Sequence, residues 1–387
     1  MSATAVATTI GIYRPSAVEG GSRVLDWDED STTLAVEAAR LALGEGDHDV
    51  EAVIVVSRTP SYLVDDAGVV ISTALRLEDA EVTQIIGAGP AALAALTAAA
   101  PGTIVVAVDT EGAVGAAAVL VRGDEARPQI VARHRHSVPY KVRPSDSRFT
   151  SAYDDDRLVR ERAWRPAIEA LSGGEASIVT GIPARVASRL GGTDIPDLTD
   201  VLESSWAALA SIAYGSRVVA IDGASGVSAD VPSSAGITIV REERASYAAP
   251  EVVPGSGMTL SLAAYDRAFA AKVGLIASRC ACGSTHFPPR DFCPTCGLRG
   301  TSEPVRLSHR ATIYSIVTVR VPIPSMPSVY SLAVVDIDGA DVRALVHVTG
   351  QEAGQASIGD RGRLVLRRIA VREGVPDYGY AFRSENQ

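Results

Sequence analysis

The spacing of apolar residues changes character twice along the chain, and each change marks a different kind of element. An apolar opening from Val6 to Ile12 is followed by the acidic run Asp28-Glu29-Asp30, and then by Ser31 and the stripe Leu34, Ala38, Leu41, Ala42. Spacings of three and four residues predict a helix, and the acidic and hydroxyl residues before it suit the free amides and positive dipole end of a helix start. Ala52–Ser57 is a short β-branched run, which predicts a buried strand. Gln84–Ile86 reads as strand, a small-residue helix starts near Pro90, Thr103–Asp109 is again strand, and Gly112 leads into an apolar run ending at Val121.

Residues 124–172 are polar and arginine-rich, with Asp154-Asp155-Asp156 expected as a solvated acidic loop, and helix–strand patterning resumes over about 160–240. In 241–278, Pro250, Pro254 and Gly255 break the chain before a helical stretch from Leu260 to Val273. From 304 the period shortens to that of strands: Ala311–Val321, Tyr330–Ile337, Val342–Val348, Arg363–Val371 and Tyr378–Phe382. Five short strands separated by Gly, Pro and Asp predict a small all-β barrel such as an OB-fold.

A repeat underlies the first 240 residues. Ala94-Ala95-Leu96 precedes Val105-Val106-Ala107-Val108-Asp109, and 113 residues later Ala207-Ala208-Leu209 precedes Val218-Val219-Ala220-Ile221-Asp222. Both blocks keep one offset across intervening loops, so the reading is a duplicated α/β half. Asp109 and Asp222 end the two strands and are expected to cap the turns that follow.

Composition narrows the function. A formal charge of −10 argues against a nucleic-acid partner, although 36 basic residues remain, of which only Lys141 and Lys272 are lysines. No stretch is long and apolar enough for a membrane span and the N-terminus has no basic-then-apolar signal, so the cytoplasm is the expected location. His48, His134, His136, His309 and His347 read as surface or structural side chains. Arg14, Arg290 and Arg320 are candidates for meeting a phosphate group.

All four cysteines, Cys280, Cys282, Cys293 and Cys296, fall within residues 280–296, and residues 1–279 contain no thiol. Two turns that each present a pair of thiolates can close a tetrahedral zinc site, and the glycine after each pair permits the tight turn. The expected cofactor is a structural Zn2+ on these four residues. The first pair is C-x-C, one residue shorter than usual, which keeps His286 as an alternative ligand, an empty ribbon as a second reading and redox use as a third.

Two stretches resemble known families. Residues 262–383, with Cys280-Ala281-Cys282-Gly283, Phe287-Pro288-Pro289-Arg290, Cys293-Pro294-Thr295-Cys296-Gly297 and Ile358-Gly359-Asp360, resemble the zinc-ribbon plus OB-fold proteins that accompany thiolases and other acyl-CoA enzymes. Residues 6–240, with Gly11-Ile12-Tyr13-Arg14-Pro15, Asp28 to Ala39, Ala88-Gly89-Pro90-Ala91-Ala92-Leu93 and Arg185 to Gly191, resemble the thiolase superfamily, in particular hydroxymethylglutaryl-CoA synthase. The resemblance implies an α/β fold of duplicated thiolase-like α/β/α halves (about 1–123 and 124–240), a linker and helix over 241–278, a rubredoxin-like zinc ribbon over 279–303 and an OB-fold over 304–387.

That family's chemistry runs through a cysteine that takes the acyl group from CoA. The resemblance puts Ile86 at the cysteine position and Thr199 near the asparagine position, and there is no histidine between His136 and His286. No catalytic residue is therefore assigned, and no cofactor-binding residue beyond the cysteines. The expectation is a pseudoenzyme, a non-catalytic subunit in a hetero-oligomer with a cysteine-bearing thiolase-like partner. The complex would perform acyl-transfer, Claisen or aldol-type chemistry in lipid metabolism on an acyl-CoA or acyl-carrier substrate, with a CoA thioester as a candidate ligand. Two alternatives stand beside it: an autonomous acyl-CoA enzyme without a cysteine nucleophile, and an OB-fold/zinc-ribbon binding module.

Overall fold

The structure is a computed structural model that describes residues 8–385 apart from 47–48, 60, 64–66, 124–126, 139–140, 143–150, 153–154, 174–176, 216, 233–236, 256–258 and 322. His48, Asp154 and the beginning of the opening apolar run at Val6 lie outside the described residues. The chain forms two compact units: residues 1–14, 38–60 and 79–242, and residues 15–37, 61–78 and 243–387. The stretches 15–37 and 61–78, which the sequence reading placed within residues 1–240, thus pack with the C-terminal unit. Among the described residues no helix is long and apolar enough to cross a membrane.

The first unit holds two large sheets, beside a two-stranded one formed by Lys141–Val142 and Ser151–Ala152. The larger contains β1 (Thr9–Tyr13), β2 (Ala52–Ser57), β3 (Glu81–Ile86), β4 (Thr103–Asp109), β5 (Gly115–Val121) and, from the far end of the unit, β10 (Thr238–Arg241). The smaller contains β6 (Gln129–His134), β7 (Ile178–Thr180), β8 (Arg217–Asp222) and β9 (Ser225–Asp230). Their orders are β10-β1-β5-β4-β2-β3 and β7-β8-β9-β6. In the first, β4 runs parallel to β2 and antiparallel to β5, with Val105 opposite Val119. In the second, β8 runs parallel to β7 and antiparallel to β9, with Val218 opposite Ala229. The same strand grammar in both sheets bears out the duplicated halves.

All seven residues of β4 are buried, as its unbroken apolar run requires when both faces of a sheet are covered. Helices α2 (Gly89–Ala98) and α4 (Ala207–Ala210) carry the repeated Ala-Ala-Leu blocks, with α3 (Arg165–Ser172) between them in sequence. Leu93, Leu96, Leu209, Trp206, Val105 and Val218 belong to one core cluster drawn from both halves. A Cβ on Gly89 would sit 3.2 Å from that of Ala208 and 3.3 Å from that of Ala220, so the close approach there suits a residue without a side chain. The second half is compressed. Its sheet has four strands against six, and it has no counterpart of β3 outside β7.

The second unit contains a zinc-ribbon sheet and a barrel. Helix α5 (Leu262–Lys272) starts at Ser261, whose hydroxyl accepts from the Ala264 N–H. It leads into β11 (Ile276–Cys280), β12 (Thr285–His286) and β13 (Ser302–Arg306), in the order β12-β11-β13. The barrel strands are β14 (Arg310–Val319), β15 (Tyr330–Ile337), β16 (Arg343–His347), β17 (Arg361–Arg372) and β18 (Val375–Ser384), in the order β16-β15-β14-β17-β18. A parallel bridge from Val348 to Phe382 joins the two ends, which closes the sheet as an OB-fold requires. Tyr330, Tyr378 and Phe382 are core residues. Tyr314, within β14, is half exposed because it is the extra residue of a β-bulge between Ile313 and Ser315, and Arg343 lies over its ring.

The acidic segment before α1 (Ser31–Leu43) is buried against this unit's own strands. Asp30 caps the helix, accepting from the Thr33 N–H at 3.0 Å, and also accepts from the Tyr378 hydroxyl at 2.7 Å. Asp28 and Glu29 face the Arg367 guanidinium at 3.6 and 3.3 Å, with all three side chains at most 2% exposed. Glu37 pairs with Arg383 at 2.9 Å. Asp26 accepts from the Tyr247 hydroxyl and from the Trp27 N–H. Capping was expected for the whole acidic run; the structure gives it to Asp30 and pairs its neighbours with arginines of β17 and β18.

Removing one partner of a buried ion pair strands the other charge. Arg367→Met should lower unfolding free energy by about 3–5 kcal/mol. Denaturant titration of the full chain reads this, and a change within measurement error would show the seam to be dispensable. Burial, then the Glu29 charge, raise the Asp26 carboxyl to about 6. A group whose folded pKa is raised adds stability that is present below its unfolded value and is lost as pH rises through the folded one. Between about pH 4 and pH 6 wild type should therefore lose stability relative to Asp26→Asn, by an amount of order 1–3 kcal/mol, as read from paired melts across that range.

Candidate functional site

Ile86 and Thr199, the two positions that the resemblance matched to a cysteine and an asparagine, occupy unlike settings in the first unit. Ile86 ends β3, the edge strand of the larger sheet, and is 72% exposed. Thr199 follows a single 3-10 turn (Pro196–Leu198), is exposed, and donates to the Ile195 carbonyl at 2.9 Å. Its hydroxyl is engaged locally because the compressed second half offers no strand at this point.

The strand-end aspartates do more than cap their own turns. The buried Asp109 carboxylate accepts from the Ser205 hydroxyl at 3.0 Å and from the Ser205 N–H, just before α4. Arg58, from the end of β2, reaches Asp109 at 3.4 Å and Asp222 at 3.1 Å. Burial raises the Asp109 pKa, against the opposing pull of Arg58 and Ser205. The repeat was legible in sequence, but the guanidinium joining its two equivalent aspartates was not, since it comes from outside both blocks. These groups tie strand ends to a helix start.

Arg14, one of the candidate phosphate ligands, is paired with Asp200 at 2.7 Å, whereas Arg290 and Arg320 are exposed. Asp155, expected in a solvated loop, accepts from the Leu158 N–H at 2.9 Å and caps a short helix. His309 meets the Tyr380 hydroxyl at 3.2 Å, and His347 lies between the rings of Trp27 and Tyr330, both at 5.7 Å.

The four cysteines converge. Their sulfurs lie within 4.8 Å of one another, the one such cluster of potential metal ligands among the described residues. Cys280 ends β11 and the other three lie on the turns that follow. Gly283 and Gly297 take positive φ of 92° and 79° where those turns fold back. The Gly283 N–H donates to the Cys280 carbonyl at 2.8 Å, and the Gly297 N–H to the Cys293 carbonyl at 2.9 Å. The short first knuckle does not keep Cys280 away, for its sulfur lies 3.6 Å from that of Cys296. Cys282 and Cys293 are 3.8 Å apart.

A tetrahedron with Zn–S bonds of about 2.3 Å has sulfur–sulfur edges of about 3.8 Å, so the spacing fits that ion. The Ser284 hydroxyl holds the Cys293 thiol down at about 4, with a further contribution from His286, and also lowers Cys282. Cys296, despite the thiolate-favouring Leu298 N–H, is pushed up to about 12 by burial and the neighbouring sulfurs. A dication relieves that crowding of negative charge. His286 places Nε2 3.4 Å from the Cys293 sulfur, as a hydrogen-bonding neighbour beside the four.

Two apolar hollows of the second unit adjoin this region. One, of about 780 Å3, is lined by α5, Phe287–Pro289 and barrel residues including Leu345, Leu364 and Ile369. The other, of about 520 Å3, is lined by Ile323, Met326, Leu332, His347 and Val371 and shares Leu345, Val346, Ile369 and Tyr380 with the first. Periodicity identified the barrel strands but gave no sign of these hollows, the first of which depends on where α5 and Phe287–Pro289 pack.

With this geometry in view, comparison with known proteins adds the following. Residues 270–301 match the family described as "ChsH2, rubredoxin-like zinc ribbon domain", and residues 304–367 match "ChsH2, C-terminal OB-fold domain". A "DUF35 domain-containing scaffold protein" of Pyrococcus furiosus is 30% identical over 131 residues, which are 33% of this chain and 95% of that protein. Among solved structures, a β-ketoacyl-[acyl carrier protein] synthase III from Thermus thermophilus is similar at 16% identity over 58% of this chain and 98% of that one, with a TM-score of 0.44. An HMG-CoA synthase complexed with CoA is similar at 14% identity over 58% and 82%, with a TM-score of 0.42.

Metal analysis of the purified chain should find one zinc ion per molecule, lost in Cys280→Ser and retained in His286→Ala. The reverse pattern would put His286 into the ligand set in place of Cys280. Chelation should also lower the melting temperature, because binding energy at a structural zinc site is folding energy.

Proposed function

The chain belongs to the family of DUF35 domain-containing scaffold proteins through its C-terminal third, and from that premise we propose that it is a non-catalytic subunit of an acyl-CoA-processing, thiolase-like complex. In this reading a cysteine-bearing thiolase-like partner carries the acyl group and performs the acyl-transfer, Claisen or aldol-type step in cytoplasmic lipid metabolism. This chain supplies a platform and a structural zinc ribbon on Cys280, Cys282, Cys293 and Cys296. The apolar hollows beside α5 would shelter the acyl part of a CoA thioester or acyl-carrier substrate.

The observation that carries the reading is Ile86. By the resemblance, an alkyl side chain takes the position of the attacking sulfur, and residues 1–279 contain no thiol. The same residue is largely exposed at the end of an edge strand. An edge strand presents unpaired N–H and C=O groups to a neighbour, and a partner strand laid along β3 would satisfy them while covering Ile86.

The test is co-purification with a thiolase-like protein, followed by incubation with acyl-labelled CoA thioester. Label should appear on the partner's cysteine and none on this chain. Ile86→Lys should abolish co-purification while leaving the chain folded. Turnover by the isolated chain, or a covalent acyl group on it, would overturn the proposal.

A further inference from the structure

The second unit contains another hollow, of about 290 Å3, whose chemistry is unlike that of the two apolar ones. It is lined by the acidic segment before α1, residues 247–251, residues 327–331 and the stretch that follows β16. Three carboxylates border it, from Asp26, Glu251 and Glu352, and no lysine, arginine or histidine does. Three aromatic side chains, Trp27, Tyr247 and Tyr330, also form its wall.

One further wall residue is left unsatisfied. Gln351 is 9% exposed, and neither its amide nitrogen nor its amide oxygen has a hydrogen-bond partner. Thr349 beside it is 2% exposed, and its hydroxyl faces the Asp28 carboxyl, to which it donates, so that its oxygen keeps the capacity to accept. Buried polar atoms without partners cost free energy, and most such atoms in folded proteins are paired. Both residues line the hollow, so a guest there is in position to supply the partners that Gln351 lacks. The charge balance points the same way, because the buried carboxyls of Asp28 and Glu29 face the single Arg367 guanidinium, whose field Asp26 shares. The wall is thus short of positive charge.

We propose that this hollow binds a compact organic cation bearing N–H groups, an alkylammonium or guanidinium of metabolite size. The Asp26 carboxylate, the Gln351 amide oxygen and the Thr349 hydroxyl accept its N–H groups, and the aromatic rings offer the electron-rich faces that attract such cations. Glu251 and Glu352, exposed at the rim, draw the ligand in. A dry cavity of ~150 Å3 accommodates benzene, so this volume holds a guest of up to about a dozen non-hydrogen atoms. A bare metal ion fits less well, since Asp26, Glu251 and Glu352 do not gather into a ligand cluster.

Isothermal titration of the full chain with n-butylammonium and with methylguanidinium, each against its neutral counterpart (1-butanol and methylurea), tests this. The expected result is saturable one-to-one binding of at least one cation, at least about tenfold tighter than its neutral counterpart, a gap of about 1.4 kcal/mol. Gln351→Met should weaken that binding by a similar factor, and Gln351→Glu should retain it. Without ligand, Gln351→Met should melt no lower than wild type, since it removes an unsatisfied buried amide, and this separates a lost ligand contact from a lost fold. Equal affinity for the neutral compounds, no saturable cation binding up to about 10 mM, or undiminished binding by Gln351→Met would each overturn the proposal.

Discussion

The second unit depends on burying carboxylates and guanidiniums together. Asp26, Asp28, Glu29, Asp30 and Glu37 are each at most 5% exposed, as are Arg367 and Arg383. Withdrawing such groups from water costs several kcal/mol per ion unless an oppositely charged or hydrogen-bonding partner is in place. Here the acids lie in residues 26–37 and the arginines in 367–383, so the unit closes only when chain segments more than 300 residues apart meet. A barrel cut out at residue 304 would keep two buried arginines and lose the carboxylates that neutralise them. The segment before α1 is accordingly a structural part of the C-terminal unit, whatever its place in the sequence suggests.

The same seam explains how far the sequence could be read. Features encoded by local spacing were legible. The repeated Ala-Ala-Leu and Val-Val-Ala blocks became α2 and α4, β4 and β8, and the five barrel strands lie within a few residues of the apolar runs that announced them. Features set by long-range pairing were not. The acidic run before α1 looked like a capping device because capping is what neighbouring residues can do, and only Asp30 does it. Asp109 was assigned to its own turn, while its acceptor capacity goes to Ser205, 96 residues away. Tyr314 fitted an alternating strand until a one-residue bulge turned it outward.

The candidate metal centre was legible for the opposite reason, since its ligands are close in sequence. Four cysteines within residues 280–296, each pair followed by a glycine, specify two tight turns with little help from the rest of the fold. What spacing left open was whether a C-x-C pair reaches the centre. The sulfur positions answer this: Cys280 ends a strand and arrives from β11, so the missing residue shortens the turn without withdrawing the ligand.

The two places that the sequence reading singled out are both engaged in structural contacts. Four sulfurs at tetrahedral spacing leave no coordination position for water or substrate. In the first unit, the strand-end aspartates are engaged by Ser205 and Arg58, and Ile86 carries a branched alkyl side chain. What stays open is surface: an edge strand ending in an exposed isoleucine, and hollows in the barrel unit. Burying a side chain such as that of Ile86 releases roughly 1.5–3 kcal/mol, which an isolated chain forgoes at this position. A surface that leaves both apolar area and edge-strand backbone groups available is suited to an apposed strand.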